Sequence, residues 1–214
     1  MFIELVDSLR CLEPHDETWL VAAVTRMDGR HIAQGVLGCP ICRREYPIRD
    51  GIGWFTARPD TVPARLTSVA ASTDPDRTMR AAALLGLTDA GGIVCVDREW
   101  ADCADALTEL SPAHVIVLGA AVDAISETVS VLAVDDRLPF AHGTIRAIAL
   151  GAESADRGTL AWATECVRSR GRLIAPVTAP VPDGVVELAR DERVWVGERG
   201  VVASPPIALR SARR

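Results

Sequence analysis

Lysine is absent from the 214 residues, and all 23 basic side chains are arginine. No ε-amine exists to form a Schiff base or to hold a nucleotide phosphate in a lysine-dependent loop, which excludes those enzyme classes. Clustered positive charge is scarce as well. The formal net charge is -6, the acidic balance is spread over both halves, and only Arg210, Arg213 and Arg214 in the tail form a small basic group. A nucleic-acid backbone demands more concentrated cations than that, so no nucleic-acid partner is expected. No window holds the roughly 18 apolar residues of a membrane span. The opening Met1-Phe2-Ile3-Glu4-Leu5 has neither the cationic flank nor the long apolar stretch of a signal peptide, and the chain reads as cytoplasmic. Six cysteines are too few for a disulfide scaffold. Cys11, Cys39 and Cys42 sit early, so metal binding is the first question to ask of them.

The chain is 49% hydrophobic and 24% charged, the range of an ordinary globular protein with apolar surface to bury. At roughly 150 residues per domain, the length suits one full core and a small appendage. The character of the sequence changes near residue 56. Before it, short alternating runs are separated by Asp28-Gly29 and Asp50-Gly51 and predict small antiparallel hairpins. Residues 57–76 hold three prolines and several small polar residues and read as a linker. From 77 onward helix and strand patterns alternate. Helices are predicted over 77–87, 100–110, 121–127 and 159–169. Buried strands are predicted over 93–96, 115–118, 129–134, 145–150 and 172–175, followed by a hairpin over 185–202 with residues 197–200 in its turn. That alternation implies a three-layer α/β domain whose mostly parallel sheet is covered on both faces.

Cys39-Pro40-Ile41-Cys42 is a C-x-x-C knuckle between two predicted strands, where thiolates can meet a metal in tetrahedral geometry. It supplies two ligands. Cys11 and His15, four residues apart, are candidates for the other two, and His31 is the competing nitrogen. Three thiolates and one imidazole would close a structural zinc site and leave no open position for catalysis.

Leu9-Arg10-Cys11, Cys39-Pro40-Ile41-Cys42 and Tyr46-Pro47-Ile48-Arg49-Asp50-Gly51-Ile52 together resemble the short zinc-ribbon proteins related to the activator subunit of tRNA and translation-factor methyltransferases. The chain departs from that pattern in its first knuckle, where the second cysteine is missing and His15 has to serve. The resemblance implies a zinc-ribbon domain over 1–56 whose sheet pairs with the edge of a methyltransferase. That edge would belong to this chain's own second half, to a second copy or to a separate enzyme. Exposure of Trp54 and Phe55 would favour a partner, and their burial an internal scaffold.

The second half, taken as 77–214, is similar in layout to class I S-adenosylmethionine-dependent methyltransferases, a Rossmann-like fold. Two segments support this: residues 136–145, beginning Asp136-Arg137-Leu138-Pro139-Phe140, and 166–173, containing Arg168-Ser169-Arg170-Gly171-Arg172-Leu173. The family's glycine-rich cofactor loop corresponds here to Cys95-Val96-Asp97-Arg98-Glu99-Trp100-Ala101, which has no glycine. Side chains there would keep the backbone from the cofactor, Trp100 would fill its volume, and Glu99 would face its carboxylate. The ribose-binding acid is also missing after Val117-Leu118-Gly119-Ala120, and the family's fourth-strand aspartate is Arg146. S-adenosylmethionine is therefore not expected as a cofactor. If the second half binds a ligand at all, Asp97 and Asp136 are placed to touch it.

No catalytic residue is expected. Cys95, Cys103 and Cys166 read as small core residues. His114 and His142 lack a Ser or Asp partner by spacing, and Trp54, Trp100, Trp162 and Trp195 read as core or interface anchors. The sequence points to a non-catalytic zinc protein acting as binding partner, scaffold or regulator, with a methyltransferase or a second copy as the partner considered. Alternatives are an active methyltransferase on a small molecule, or a binder of another small ligand in a pocket near Asp97, Asp123 and Asp136.

Overall fold

The structure is a computed structural model that describes residues 1–56, 66–88, 91–122 and 128–201. A short 3-10 helix, Ile3–Ser8, leads into four antiparallel strands: β1 Val21–Asp28, β2 His31–Gly38, β3 Glu45–Arg49 and β4 Ile52–Phe55. The β3–β4 turn places Asp50 at φ 51° and Gly51 at φ 78°. Positive φ at both central residues gives the twist of a tight two-residue hairpin. Beyond residue 66 come β5 Ser68–Val69, α1 Pro75–Leu85, β6 Ile93–Asp97, α2 Ala104–Leu110 behind a turn of 3-10 helix, β7 His114–Leu118 and β8 Ala121–Val122. They are followed by β9 Val129–Val134, β10 Ile145–Ala149, α3 Arg157–Cys166, β11 Val167–Pro176, β12 Val185–Arg190 and β13 Val194–Arg199.

Helix ends are set by local chemistry. Asp74 accepts the Asp76 amide and Pro75 takes the first turn of α1, so the helix starts two residues before the expected 77. Gly86, at φ 66°, closes it. The carbonyls exposed at its last turn accept from two guanidiniums. Arg146 Nη2 reaches Gly86 O at 2.7 Å, and Arg172 Nη1 reaches Ala83 O at 2.8 Å. Asp156 caps α3 through the amides of Gly158 and Thr159.

Among the described residues eleven strands form one sheet in the order β1-β2-β3-β4-β9-β7-β6-β10-β11-β13-β12. The block from β9 to β11 is parallel, β13 runs antiparallel beside β11, and β12 pairs antiparallel with β13. Counted from β6 and leaving out β8, which pairs with β5, the order is 3-2-1-4-5-7-6. This is a Rossmann-like sheet, and the direction of strand addition reverses between β6 and β10, where such sheets open a crevice at their carboxyl ends. The ribbon strands join it directly: β4 lies parallel to β9 with Ile52 opposite Val131 and Phe55 opposite Val134.

Alternation along the strands sorts side chains to two faces. Val94, Val96, Val115, Val117, Ala147 and Ile174 pack with Leu85 and Leu107 under α1 and α2. Cys95, Ile116, Leu118, Leu132 and Ile148 pack with Leu160 of α3 on the other face, in the same cluster as Leu5, Leu9, Leu37, Ile48 and Phe55 from the first 56 residues. One apolar core thus crosses from ribbon to parallel sheet. Trp54 and Phe55 are buried.

Several elements differ from expectation. Residues 121–122 form a strand instead of a helix, and 123–127 lie outside the described residues. Most of 57–76 also lies outside them, but Ser68–Val69 is strand and α1 begins within that stretch. Helix α3 ends at Cys166, three residues early, because β11 starts there with Arg170 at φ 61° in an irregular first turn. The last hairpin turns at Asp191, whose Oδ1 accepts the Arg193 and Val194 amides. Gly197 is mid-strand, where a Cβ would lie 2.3 Å from Val185 Cγ1. Among the described residues no helix is long and apolar enough to cross a membrane.

Candidate metal centre and ligand cleft

The loop after Leu9 and the β2–β3 knuckle converge at one end of the ribbon. The ligand atoms of Cys11, His15, Cys39 and Cys42 all lie within 4.8 Å of one another. Cys11 Sγ is 3.6 Å from Cys42 Sγ, and Cys39 Sγ is 3.4 Å from His15 Nε2. Four ligands at zinc bond lengths sit about 3.5–3.8 Å apart on a tetrahedron, so the spacing fits zinc. The knuckle is shaped by its own backbone: Cys39 N donates to Arg44 O, Arg43 N donates to Cys39 O, and Arg43 takes φ 62°. Asp16 O lies 2.7 Å from His15 Nδ1, which places a proton there and turns Nε2 toward the thiols.

Two of the four ligand groups hold a proton at neutral pH that a bound metal would displace. Burial pushes the Cys11 thiol up to about 11, a group that a bound divalent metal would strip of its proton. Burial acts the same way on Cys39 but is outweighed by the knuckle amides of Cys42 and Ile41, which bring it down to about 7. The hydrogen bond to Asp16 raises His15 to about 9. Tyr46 completes the surroundings: its hydroxyl accepts from Leu12 N at 3.0 Å and lies 3.5 Å from Cys11 Sγ. His31 is not part of the cluster; it opens β2 at the far end, with its ring 5.8 Å from that of Phe2.

At the carboxyl ends of the parallel strands lies a cavity of about 220 Å³, lined by Asp97, Leu118, Val134, Asp135, Asp136 and Leu150 among others. Asp97 belongs to its wall but is 3% exposed, and Oδ2 accepts Gly151 N at 2.6 Å while Oδ1 accepts Glu99 N. Burial raises its carboxyl above the ordinary range, against the pull of those amides. Glu99 turns to Ala152 N at 2.9 Å. The two acids after β6 thus tie down the loop after β10. Asp136 is exposed at the rim, its carbonyl accepting from Thr159 Oγ1. Asp123 lies outside the described residues.

Three expectations about single residues change. Trp100 does not line this cavity; it is buried with Ala101 and Leu107 on the α1–α2 face, under Arg77. Arg146 lies near the amino end of β10, away from the cleft, holding Gly86 O and Gly91 O. His114 does have a serine partner: its Nε2 is 2.9 Å from Ser130 Oγ, which also accepts the Phe2 amide. Phe2 stacks on the imidazole at 4.5 Å. Ser130 is fully buried, so the pair fastens the N-terminal segment to the sheet. His142 is paired with Glu165 at 3.1 Å. Cys95, Cys103 and Cys166 are fully buried. Trp195 Nε1 donates to Ala179 O, and Trp162 lies under the guanidiniums of Arg10 and Arg137.

Residues 14–51 match the family model described as Trm112p-like protein. No curated protein sequence matches the chain. Among the solved structures similar to it are methyltransferases. A putative S-adenosyl-L-methionine-dependent methyltransferase from Methanococcus maripaludis is 7% identical over 60% of this chain and 86% of its own, with TM-score 0.45. A putative methyltransferase from an antibiotic biosynthesis pathway of Anabaena variabilis is 11% identical over 48% of this chain and 45% of its own, with TM-score 0.40. The antibiotic-resistance methyltransferase Kmr is 13% identical over 65% of this chain and 100% of its own, also at 0.40. The chain spans less than half the length of the Anabaena protein. The chain thus joins a segment matching the Trm112p-like model, which holds three of the four residues of the Cys/His cluster, to a Rossmann-like sheet.

Proposed function

We propose that this is a non-catalytic zinc protein in which a Trm112p-like ribbon is built onto a methyltransferase-like domain that has lost its cofactor site. Zinc held by Cys11, His15, Cys39 and Cys42 has a structural role, with no ligand position left for a reacting molecule. Trm112p-like domains act as methyltransferase activators that bind protein partners, and the pairing of β4 with β9 supports the reading that the ribbon serves its own chain's domain as an internal scaffold. A partner protein would then have to use another surface.

The observation that carries the loss of the cofactor site is the tie between the two loops. Asp97 and Glu99 accept the amides of Gly151 and Ala152, and the cavity that Asp97 walls, about 220 Å³, is below the roughly 300–1,000 Å³ of ordinary small-molecule pockets. The test is calorimetric titration of zinc-assayed protein with S-adenosylmethionine and S-adenosylhomocysteine. No binding at millimolar ligand is expected, and micromolar affinity for either would sink the reading. That second outcome would favour an active methyltransferase on a small molecule, a reading supported by the place of the cavity at the reversal point of the sheet, with Asp135 and Asp136 just after β9.

A further inference from the structure

The residues that carry the first half of the metal cluster also hold the segment that walls the cleft. Leu9 forms an antiparallel bridge with Phe140. Ala141 N donates to Ser8 O at 2.9 Å, and Arg10 N donates to Pro139 O at 2.8 Å. Arg137 Nη1 reaches Leu12 O at 3.0 Å, and His142 N donates to Glu17 Oε1 at 2.9 Å. Glu17 Oε1 also takes Arg10 Nη1 at 2.9 Å, a guanidinium that is 5% exposed and lies over Trp162. Of these partners, Leu12 lies between the ligands Cys11 and His15, and Glu17 follows two residues after His15.

The segment so clamped, residues 135–142, is common to two neighbouring hollows. Asp135 and Asp136 line the Rossmann cavity and also a second one of about 310 Å³, whose other wall is Leu12, Glu13, Arg44 and Tyr46 of the ribbon. Tyr46 closes the circuit by touching Cys11 and Leu12. A loop with no metal to fix Cys11 and His15 would lose the geometry that presents Leu12 O and Glu17 to Arg137 and His142. We infer that metal occupancy at the Cys/His cluster is coupled to the conformation of residues 135–142, so that the metal centre sets the shape of the cleft on the far side of the ribbon. This rests on the zinc reading above and goes beyond it, since a purely local structural zinc would leave 135–142 indifferent.

Coupling between two sites is reciprocal, typically five- to 150-fold in affinity, and this gives a test that needs no metal-free fold. Zinc affinity of the full chain is measured by competition with a chromophoric chelator for the wild type, for Arg137→Ala and for Glu17→Ala. Neither variant removes a metal ligand. A loss of at least about fivefold in both is expected, and unchanged affinity in both would overturn the coupling. Hydrogen exchange with and without chelator supplies the second readout. The amides of Ala141 and His142 should exchange faster on zinc removal, together with those of Cys39 and Arg43, while Gly151 and the β6 and β7 amides keep their protection. Acceleration at Cys39 and Arg43 alone would overturn the coupling and leave the zinc reading intact. Failure of the purified chain to hold zinc would remove the zinc reading itself, and the coupling with it.

Discussion

Asp97 and Gly151 stand 54 positions apart in sequence and 2.6 Å apart in space, carboxylate oxygen to amide nitrogen. The carboxylate ends β6 and the amide follows β10, the two strands between which the sheet reverses. In this chain the floor of the crevice is therefore a hydrogen bond.

Replacing Asp97 with Ala leaves the buried Gly151 amide and the partly buried Glu99 amide without their acceptor. Orphaned buried donors cost about 1–3 kcal/mol each in the worst case, and the pair is expected to lower unfolding free energy by about 2–3 kcal/mol in chemical denaturation. A change under about 0.5 kcal/mol would mean that the two loops are not held together by this residue.

The surroundings of the metal cluster make a second expectation. Tyr46→Phe removes the hydroxyl that touches Cys11 and holds Leu12, and outer partners of metal ligands are worth about 10–100-fold in affinity. Elemental analysis should find one zinc per chain in the wild type, Cys42→Ser should release it, and Tyr46→Phe should weaken it about tenfold in chelator competition. Equal affinity for Tyr46→Phe and wild type would count against a role for the hydroxyl.

His114 predicts a pH dependence. Burial, and after it the neighbouring His31, lowers its pKa from 6.5 to about 4. The folded chain therefore holds this imidazole neutral where the unfolded chain binds a proton. Stability from this residue is fully present above about pH 6.5 and is lost as pH falls toward about 4, by up to about 3 kcal/mol. Comparison of denaturation curves for the wild type and His114→Gln at pH 7.5 and pH 5 isolates it from acid release of a metal. The variant should show the smaller drop, and parallel drops would refute the assignment.

The seam between ribbon and parallel sheet is tight at Gly53. A Cβ there would meet Leu132 Cδ2 at 2.9 Å and Met1 Sδ at 3.3 Å, and Leu132 is fully buried. Gly53→Val is expected to cost about 1–3 kcal/mol by overpacking and to speed hydrogen exchange along β4 and β9 ahead of β6 and β7. Uniform exchange across all four strands would show that the seam is no weaker than the sheet it extends.

Much of this molecule is written in local patterns. The hairpin turns at Asp28-Gly29 and Asp50-Gly51, the buried strands β6, β7, β9 and β10, and the C-x-x-C knuckle each depend on a few consecutive residues. Such features are legible because backbone conformation and alternation of side chains are short-range consequences of residue type. Where the local reading fails, a distant contact is responsible: α3 yields to β11 at Cys166 because β11 pairs with β10 from Val167 on, and Gly197 sits in a strand because Val185 packs over it.

The sequence by itself determined that Cys39 and Cys42 share one knuckle, that the second half is a mostly parallel α/β sheet, and that the turn after β6 has no glycine. Tertiary structure alone decided that His15 and not His31 faces the thiols, that Asp97 and Glu99 accept the Gly151 and Ala152 amides, and that the ribbon's β4 extends its own chain's sheet at β9. Residue type and short-range order set which groups are available and how each strand alternates. Which of two equivalent nitrogens, faces or edges is used depends on pairing and burial between residues dozens of positions apart, and no local pattern encodes that choice.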